Sequence, residues 1–460
     1  MSDDSEKRAA LALALLSSFL TPFMASSINV ALPPISDEFS MNAVFLSWVA
    51  TSYLLAAAVF LVPFGRLADI HGRKKVFIYG MWVFTAASLM CAVAPSATLL
   101  IGFRVAQGFG SAMIFGTSVA ILSSVYPPNE RGKVLGLSVA VVYLGLSLGP
   151  SAGGFLTEFL GWRSLFVVML PISGAIVWVA ATKLKGEWAG GRGERFDLSG
   201  SAIYAVSLTS VILGFSFLPD VLGIVLVGLG ALGIAGFVAW ELRLEYPVLD
   251  MKLFRSNRSF AFSNVAALIN YSATFAVTFL MSLYLHYVKD LSLDMVGIVL
   301  ISQPVVMAAF SPLAGKLSDI VEPQIIASAG MAISAVGLVL LSLMDGGTEL
   351  WAIVGTLAFL GFGFALFSSP NMNAIMGSVE KKQYGVASAS VGTMRLVGQV
   401  LSLGIATLFI ALFVGEQDLT RALAPEFLKS YELAFQTFAV MCFVGIVASL
   451  ARGKVRGNGK

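Results

Sequence analysis

Long apolar runs divided by short polar stretches repeat along the whole chain. About fourteen such runs can be drawn, near residues 9–32, 44–64, 75–94, 98–124, 133–157, 163–182, 198–217, 220–240, 260–287, 293–314, 323–343, 350–370, 384–413 and 432–450. A run of roughly 18 apolar residues or more is long enough to cross the hydrocarbon core as a helix. The pattern therefore predicts an all-α integral membrane protein with about fourteen transmembrane helices.

One polar stretch occurs twice. Gly65-Arg66-Leu67-Ala68-Asp69-Ile70-His71-Gly72-Arg73-Lys74-Lys75 lies between two apolar runs, and Gly315-Lys316-Leu317-Ser318-Asp319-Ile320 lies in the matching place later in the chain. Gly132 and Gly145 match Gly385 and Gly398 at nearly the same offset. Two related halves follow, as in carriers that work by alternating access. The longest linkers flank the seventh and eighth runs. The chain divides into a six-helix bundle at 1–182, a linker with two extra helices at 183–258, and a second six-helix bundle with a tail at 259–460.

Composition supports a membrane location. Of the 460 residues 57% are hydrophobic and 12% charged, against about 25% charged in soluble domains, and the mean hydropathy is +0.87. Charge position then sets topology, because cytoplasmic loops collect Lys and Arg. With Lys7 and Arg8 inside, the inner loops hold Arg66, Arg73, Lys74, Lys75, Arg131, Lys133, Lys183, Lys185, Arg192, Arg195, Arg243, Lys252, Lys316, Lys381 and Lys382. The outer loops keep Arg163, Lys289, Arg421 and Lys429 among many acids. Both termini are thus expected in the cytoplasm of a multi-pass plasma-membrane protein. The first run is long, lacks a clear cleavage site and is read as a span.

The two cysteines, Cys91 and Cys442, sit inside apolar runs, and the two histidines, His71 and His286, are far apart. No metal site, disulfide framework or cofactor is expected. Without a Walker loop or a nucleophile–base pair, an enzyme or an ATP-driven pump is disfavoured. No nucleic-acid partner is expected.

Three stretches bear on mechanism. Gly65 and Gly72 frame a turn, with Asp69 near a helix end and Arg73 opening a basic cluster; a carboxylate there can pair with an arginine or a helix N-terminus. In the fourth run Arg104, Gln107 and Ser111 share one helix face at i, i+3 and i+7, and a charge at membrane depth marks function by default. In the fifth run, Gly145-Leu146-Ser147-Leu148-Gly149-Pro150-Ser151-Ala152-Gly153-Gly154 offers close helix approach at Gly145 and Gly149, a kink at Pro150, and a smooth surface through Gly153 and Gly154.

On these residues the sequence resembles the major facilitator superfamily, and within it the fourteen-helix drug:proton antiporters, over essentially the whole chain. The resemblance implies a conformational latch at Gly65, Asp69, Gly72 and Arg73. It also implies an antiporter motif at Gly145, Gly149, Pro150, Gly153 and Gly154. Arg395, Gln399 and Ser402 repeat the polar face of Arg104 in the thirteenth run, so Arg104, Gln107 and Arg395 are assigned to intramembrane charge and coupling. Candidate cavity residues are Asn29, Tyr53, Tyr143, Asn264, Tyr271, Tyr284, Asn371 and Gln399.

One departure matters. The related antiporters commonly carry an aspartate shortly before an Asn-Val-Ala-Leu-Pro run. That run is Asn29-Val30-Ala31-Leu32-Pro33 here, and the aspartate's place is Met24. A cavity with two arginines and no acid should repel cations and accept neutral, amphipathic or anionic compounds. The expected function is secondary-active export of hydrophobic or amphipathic small molecules, proton-coupled as in the resembling family, by one chain in a lipid bilayer. A uniporter or exchanger for an organic anion or neutral metabolite, and a sensor on a transporter fold, are the alternatives.

Overall fold

The structure, a computed structural model, describes the backbone of residues 2–380, 383–415, 417 and 420–453, and side chains for these except 2–4, 128–133, 135, 136, 139, 319, 384 and 385. Lys381 and Lys382 lie outside this set, as do the side chains of Arg131, Lys133 and Asp319 and the packing of the repeat positions Gly132 and Gly385. Among the described residues, fourteen helices are long and apolar enough to cross a membrane. They are α1 Ser5–Ser27, α2 Ala43–His71, α3 Arg73–Ala92, α4 Ala97–Val125, α5 Ala140–Leu160, α6 Ser164–Lys183 and α7 Leu198–Phe217. The rest are α8 Val221–Glu241, α9 Arg258–Val288, α10 Leu293–Ser318, α11 Pro323–Ser342, α12 Leu350–Gly377, α13 Val386–Phe413 and α14 Arg421–Ala451. This is an all-α multi-pass membrane fold.

Several predicted runs are divided more finely than the apolar pattern suggests. The run 9–32 reads as one helix, but α1 stops at Ser27 and a turn follows, with Asn29 N–H donating to Ser26 O at 3.3 Å and Ala31 N–H to Ile28 O at 3.0 Å. A short helix, Leu32–Phe39, then starts with proline in its first turn, where a missing N–H costs nothing. Pro150 lies inside a helix that runs from Pro128 to Leu160 without interruption. The breaks fall elsewhere, at Phe275 in α9 and Ile301 in α10. The interruption in α9 is bridged from α13, where Ser402 Oγ accepts the Ala276 N–H at 2.9 Å.

The halves repeat their packing. In the first, α1 lies on α5, α2 on α4, α3 on α4 and α6 on α3; in the second, α9 lies on α13, α10 on α12, α11 on α12 and α14 on α11. Sequence decay has thus left the helix partnerships intact. The inserted pair lies outside this repeat. Helix α8 packs chiefly on α7, while α7 touches both α2 and α13. The Tyr204 hydroxyl donates to Ala58 O on α2 at 3.1 Å, and Phe215 packs over Gly404 on α13.

An even number of spans puts both termini at one end of the bundle. At the opposite, far end the halves meet with backbone-close contacts. A Cβ on Gly154 would lie 2.6 Å from Leu293 O, and one on Gly297 would lie 2.9 Å from Pro150 O. Ser282 Oγ donates to Asn29 O at 2.8 Å, and the Ala43 N–H donates to Gln417 O at 3.2 Å. At the terminus-bearing end Met376 packs on a cluster of Ala14, Leu122, Tyr126 and Val134.

The first half's far-end loops are tied by a forked ion pair. Arg163 donates from Nη1 to Glu38 Oε2 at 2.7 Å and from Nη2 to Oε1 at 2.6 Å, and the Trp162 indole adds a third bond at 2.8 Å. The bond from Arg163, opposed by desolvation, holds the Glu38 carboxyl below its usual range. A lowered folded-state value stabilises above the unfolded pKa of about 4.3 and is lost as pH falls through the folded one. The melting temperature of Glu38→Gln should therefore be lower than that of the wild type near neutrality, and the two should converge in acid. Both partners are 39% exposed, so the difference should stay below about 1 kcal/mol. A thermal-shift titration checks it, and curves that stay parallel down to acid pH would refute it.

Candidate functional site

The signature loop folds differently from the turn predicted at both glycines. Gly65 lies inside α2, where Gly116 of α4 packs against it: a Cβ on Gly116 would be 3.3 Å from Gly65 N. The turn itself belongs to Gly72, whose φ of 118° favours glycine. Arg73 bonds Asp69 Oδ1 through Nε at 2.8 Å, and its Nη1 reaches Ala120 O at 3.0 Å and Ser124 Oγ at 2.5 Å on α4. These bonds stay within the first half. The following linker lies over the loop, with the Gly191 N–H on Asp69 O and the Arg73 N–H on Trp188 O, both at 2.9 Å.

The fifth-helix motif is a close-packing surface with two separate partners. A Cβ on Gly145 would meet Phe19 O at 2.6 Å, one on Gly149 would meet Ser26 Oγ at 1.8 Å and Ser27 N at 2.9 Å, and one on Gly153 would meet Ser27 O at 2.9 Å. These three seat α5 on α1. Gly154 instead faces α10 of the other half. Pro150 also faces α10 through its carbonyl. The smooth face drawn from the sequence thus turns from an internal contact to an inter-half contact between Gly153 and Gly154.

Arg104 and Arg395 were expected to share a cavity, and they do not. Arg104 is wholly buried in the first half. Its Nε donates to Val49 O at 2.9 Å, its Nη1 donates to Gln107 Oε1 at 2.5 Å, and its guanidinium lies 4.3 Å from the centre of the Tyr53 ring. Gln107 Nε2 continues the chain to Ser88 Oγ at 2.7 Å. The shared helix face was legible from spacing, but Arg104 and Gln107 point at α2 and α3, and only Ser111 reaches open space.

Two adjoining spaces lie between the halves and share Leu146 and Gln399 in their walls. The smaller, about 20 Å³, is lined by Thr21, Tyr53, Ser111, Phe115, Arg395 and Gln399 among others. The larger, about 80 Å³, is lined by Ser26, Asn29, Tyr143, Ser147, Tyr271, Thr274, Thr278, Gln303 and Gln399, with Pro150, Phe275, Leu300, Met307 and Phe364. Tyr143 of α5 and Tyr271 of α9 bridge it, their hydroxyls 2.5 Å apart, and both rings pack edge-on to Phe364. Arg395 is 6% exposed and stands 4.7 Å from the Phe115 ring centre. Among the described residues no carboxylate pairs with it. The Asn29 amide is buried, and neither its nitrogen nor its oxygen has a partner.

The remaining predicted cavity residues lie elsewhere. Asn264 bonds Phe260 O on its own helix at 2.9 Å. Tyr284 stacks on Tyr431 and donates to Asp345 O at 2.7 Å. Asn371 belongs to a cluster at the terminus-bearing end, where its Oδ1 accepts from Arg452 Nη1 at 2.9 Å. Arg452 is almost fully buried, and that burial pulls its guanidinium down to about 10. Met24 is also fully buried in the core and lines neither space. An acid at that position would face packed side chains here, not a substrate. The sequence reading missed Ser26, Ser147 and Gln303, which carry no signal apart from polarity at membrane depth.

The largest of these spaces, about 500 Å³, is not central. It lies between α2, α4 and the inserted α7, with a mostly apolar wall that includes Trp48, Phe60, Ile101 and Val206. The central spaces are far below the roughly 300–1,000 Å³ of a ligand site.

The sequence matches the family model described as Major Facilitator Superfamily over residues 14–249 and 264–458. The riboflavin transporter RibZ of Clostridioides difficile is 28% identical over 94% of this chain and 94% of its own length. The multidrug resistance protein Stp of Mycobacterium tuberculosis is 30% identical over 88% of this chain and 77% of its own. Among solved structures, a bacterial homologue of the human lysosomal transporter Spinster, inward-facing and unoccupied, superposes with a TM-score of 0.66 at 16% identity. It covers 97% of both chains. That likeness bears on the fold.

Proposed function

This chain belongs to the Major Facilitator Superfamily, and from that premise we propose that it exports neutral or anionic amphipathic small molecules by alternating access, driven by protons. The observation that carries the reading is the space between the halves. It holds an uncompensated guanidinium (Arg395), an unpartnered buried amide (Asn29), a tyrosine pair and an apolar wall, with no carboxylate among its lining residues. A cation entering there would meet Arg395 at low dielectric without an acid to offset it. A carboxylate or phenolate would find a partner. The names of Stp, a multidrug resistance protein, and RibZ, a riboflavin transporter, support a small-molecule substrate. Basic loops at the terminus-bearing end support a cytoplasmic placement of both termini, with the sealed far end outside.

Reconstituted protein tests this. An imposed pH gradient should drive accumulation of an anionic amphipathic dye. Counterflow without gradient-driven accumulation would instead support the exchanger reading and end the proton-driven one. Arg395→Gln should cut transport of an anionic substrate about tenfold or more, the worth of one charge-assisted hydrogen bond of about 1.5–3 kcal/mol, and spare a neutral one. Equal losses for both substrates would remove Arg395 from the site.

A further inference from the structure

We propose that the carboxyl groups of Asp197 and Glu241 form a proton-binding site that pins the linker before α7 to the base of the inserted helix pair. Glu241 ends α8 and is 0% exposed. Its Oε2 accepts the Leu249 N–H at 3.0 Å, whereas its buried Oε1 has no partner. Asp197 caps α7, with Oδ1 on the Gly200 N–H at 2.9 Å and Oδ2 on the Trp240 indole of α8 at 3.1 Å. Asp197 Oδ2, already bonded to the indole, and the unpartnered Glu241 Oε1 converge over Gly200. A Cβ there would stand 2.1 Å from Asp197 Oδ2 and 2.6 Å from Glu241 Oε1. An orphaned, buried carboxylate oxygen beside a second carboxylate is strongly unfavourable. One proton held between them turns that repulsion into a hydrogen bond.

The charged groups around the pair do not relieve it. Arg66 of α2 is taken by Glu194 of the linker, and Lys252, beyond α8, donates to Leu244 O. Arg195 and Arg243 are exposed and ion-pair with neither carboxylate. Tyr246 faces Glu245, Glu194 and Arg66.

The position gives the proton a conformational task. The linker that Asp197 closes is bonded to the signature loop of the first half through Trp188, Gly191 and Glu187, the last accepting the Lys74 N–H at 2.9 Å. Leu249, held by Glu241, leads to Asp250, which caps the short helix Met251–Ser256 before α9. Loss of the proton would drive the carboxylates apart and free the linker from the loop it covers. The site stands apart from the transport reading, since its test reads the linker and not a substrate.

Limited trypsin cleavage at the exposed Arg192 and Arg195, in full-length protein in lipid vesicles, measures this release. Normalised to an unstructured peptide, wild-type cleavage should rise at least about tenfold between about pH 6 and pH 9, the factor that one pKa unit of differential proton binding supplies. Glu241→Gln keeps the shape and the Leu249 bond but cannot ionise, so its rate should stay low and flat. In wild type, the infrared carbonyl band of a protonated carboxyl should vanish with the same midpoint as cleavage rises, and Glu241→Gln should lack that band. A flat wild-type profile, a Glu241→Gln rate that rises like wild type, or unrelated midpoints for the band and the cleavage would each overturn the proposal.

Discussion

Gly154→Val is expected to unseal the far end of the molecule. The added Cβ would fall 2.6 Å from Leu293 O and 3.3 Å from Gly297 Cα, both backbone atoms of α10 in the other half. Neither can rotate away, so relief requires the halves to part. Overpacking of this kind costs about 1–3 kcal/mol. At 1.4 kcal/mol per factor of ten, that shifts the balance between far-end-closed and far-end-open forms by roughly 5- to 150-fold. A Thr278→Cys reporter in the cavity wall should react correspondingly faster with a membrane-impermeant thiol reagent from the far side, and transport should fall. Gly149→Val is the control. Its clash is with Ser26 and Ser27 inside the first half, so it should lower stability without raising that reactivity. Unchanged labelling in Gly154→Val would exclude the seal.

Arg104→Ala is expected to abolish transport through loss of structure rather than loss of a substrate contact. The side chain bonds Val49 O and Gln107 and lies over Tyr53, and so joins α2 to α4. Hydrogen bonds to a charged group are each worth about 1.5–3 kcal/mol. Removal of the buried charge returns part of its desolvation penalty. The net loss should therefore be about 2–4 kcal/mol, smaller than the sum of the bonds. Arg104→Lys should recover little, because one ammonium cannot reach both acceptors in the guanidinium's fork geometry. Melting in detergent, measured beside transport, separates the roles. A variant that melts like wild type and does not transport would return Arg104 to the functional site.

Span number, fold class and the two-half repeat were legible in the chain. Each follows from local quantities: the length of an apolar run, the position of a polar turn, and the spacing of small residues. The family resemblance carried by the segments at Gly65–Lys75 and Gly145–Gly154 was legible for the same reason. Helix-face arithmetic also placed Arg104 with Gln107, and Arg395 with Gln399.

What spacing could not supply was the direction of each face. Arg104 and Arg395 occupy similar patterns, yet one is sealed behind Tyr53 and the other borders the space between the halves. Tyr271 and Tyr284 stand on one helix, but the break at Phe275 and the π-turn at Tyr284–Val288 separate the part that lines the cavity from the part that packs on Tyr431. Gly153 and Gly154 are neighbours that serve different halves. Asp197 and Glu241, far apart in the sequence, carried no signal at all. The chain by itself determined which segments enter the membrane, because transfer of apolar surface is summed residue by residue along a helix. Only tertiary packing decided which polar groups on those helices meet one another, meet a cavity or share a proton, because that depends on how each helix is turned against neighbours distant in the chain.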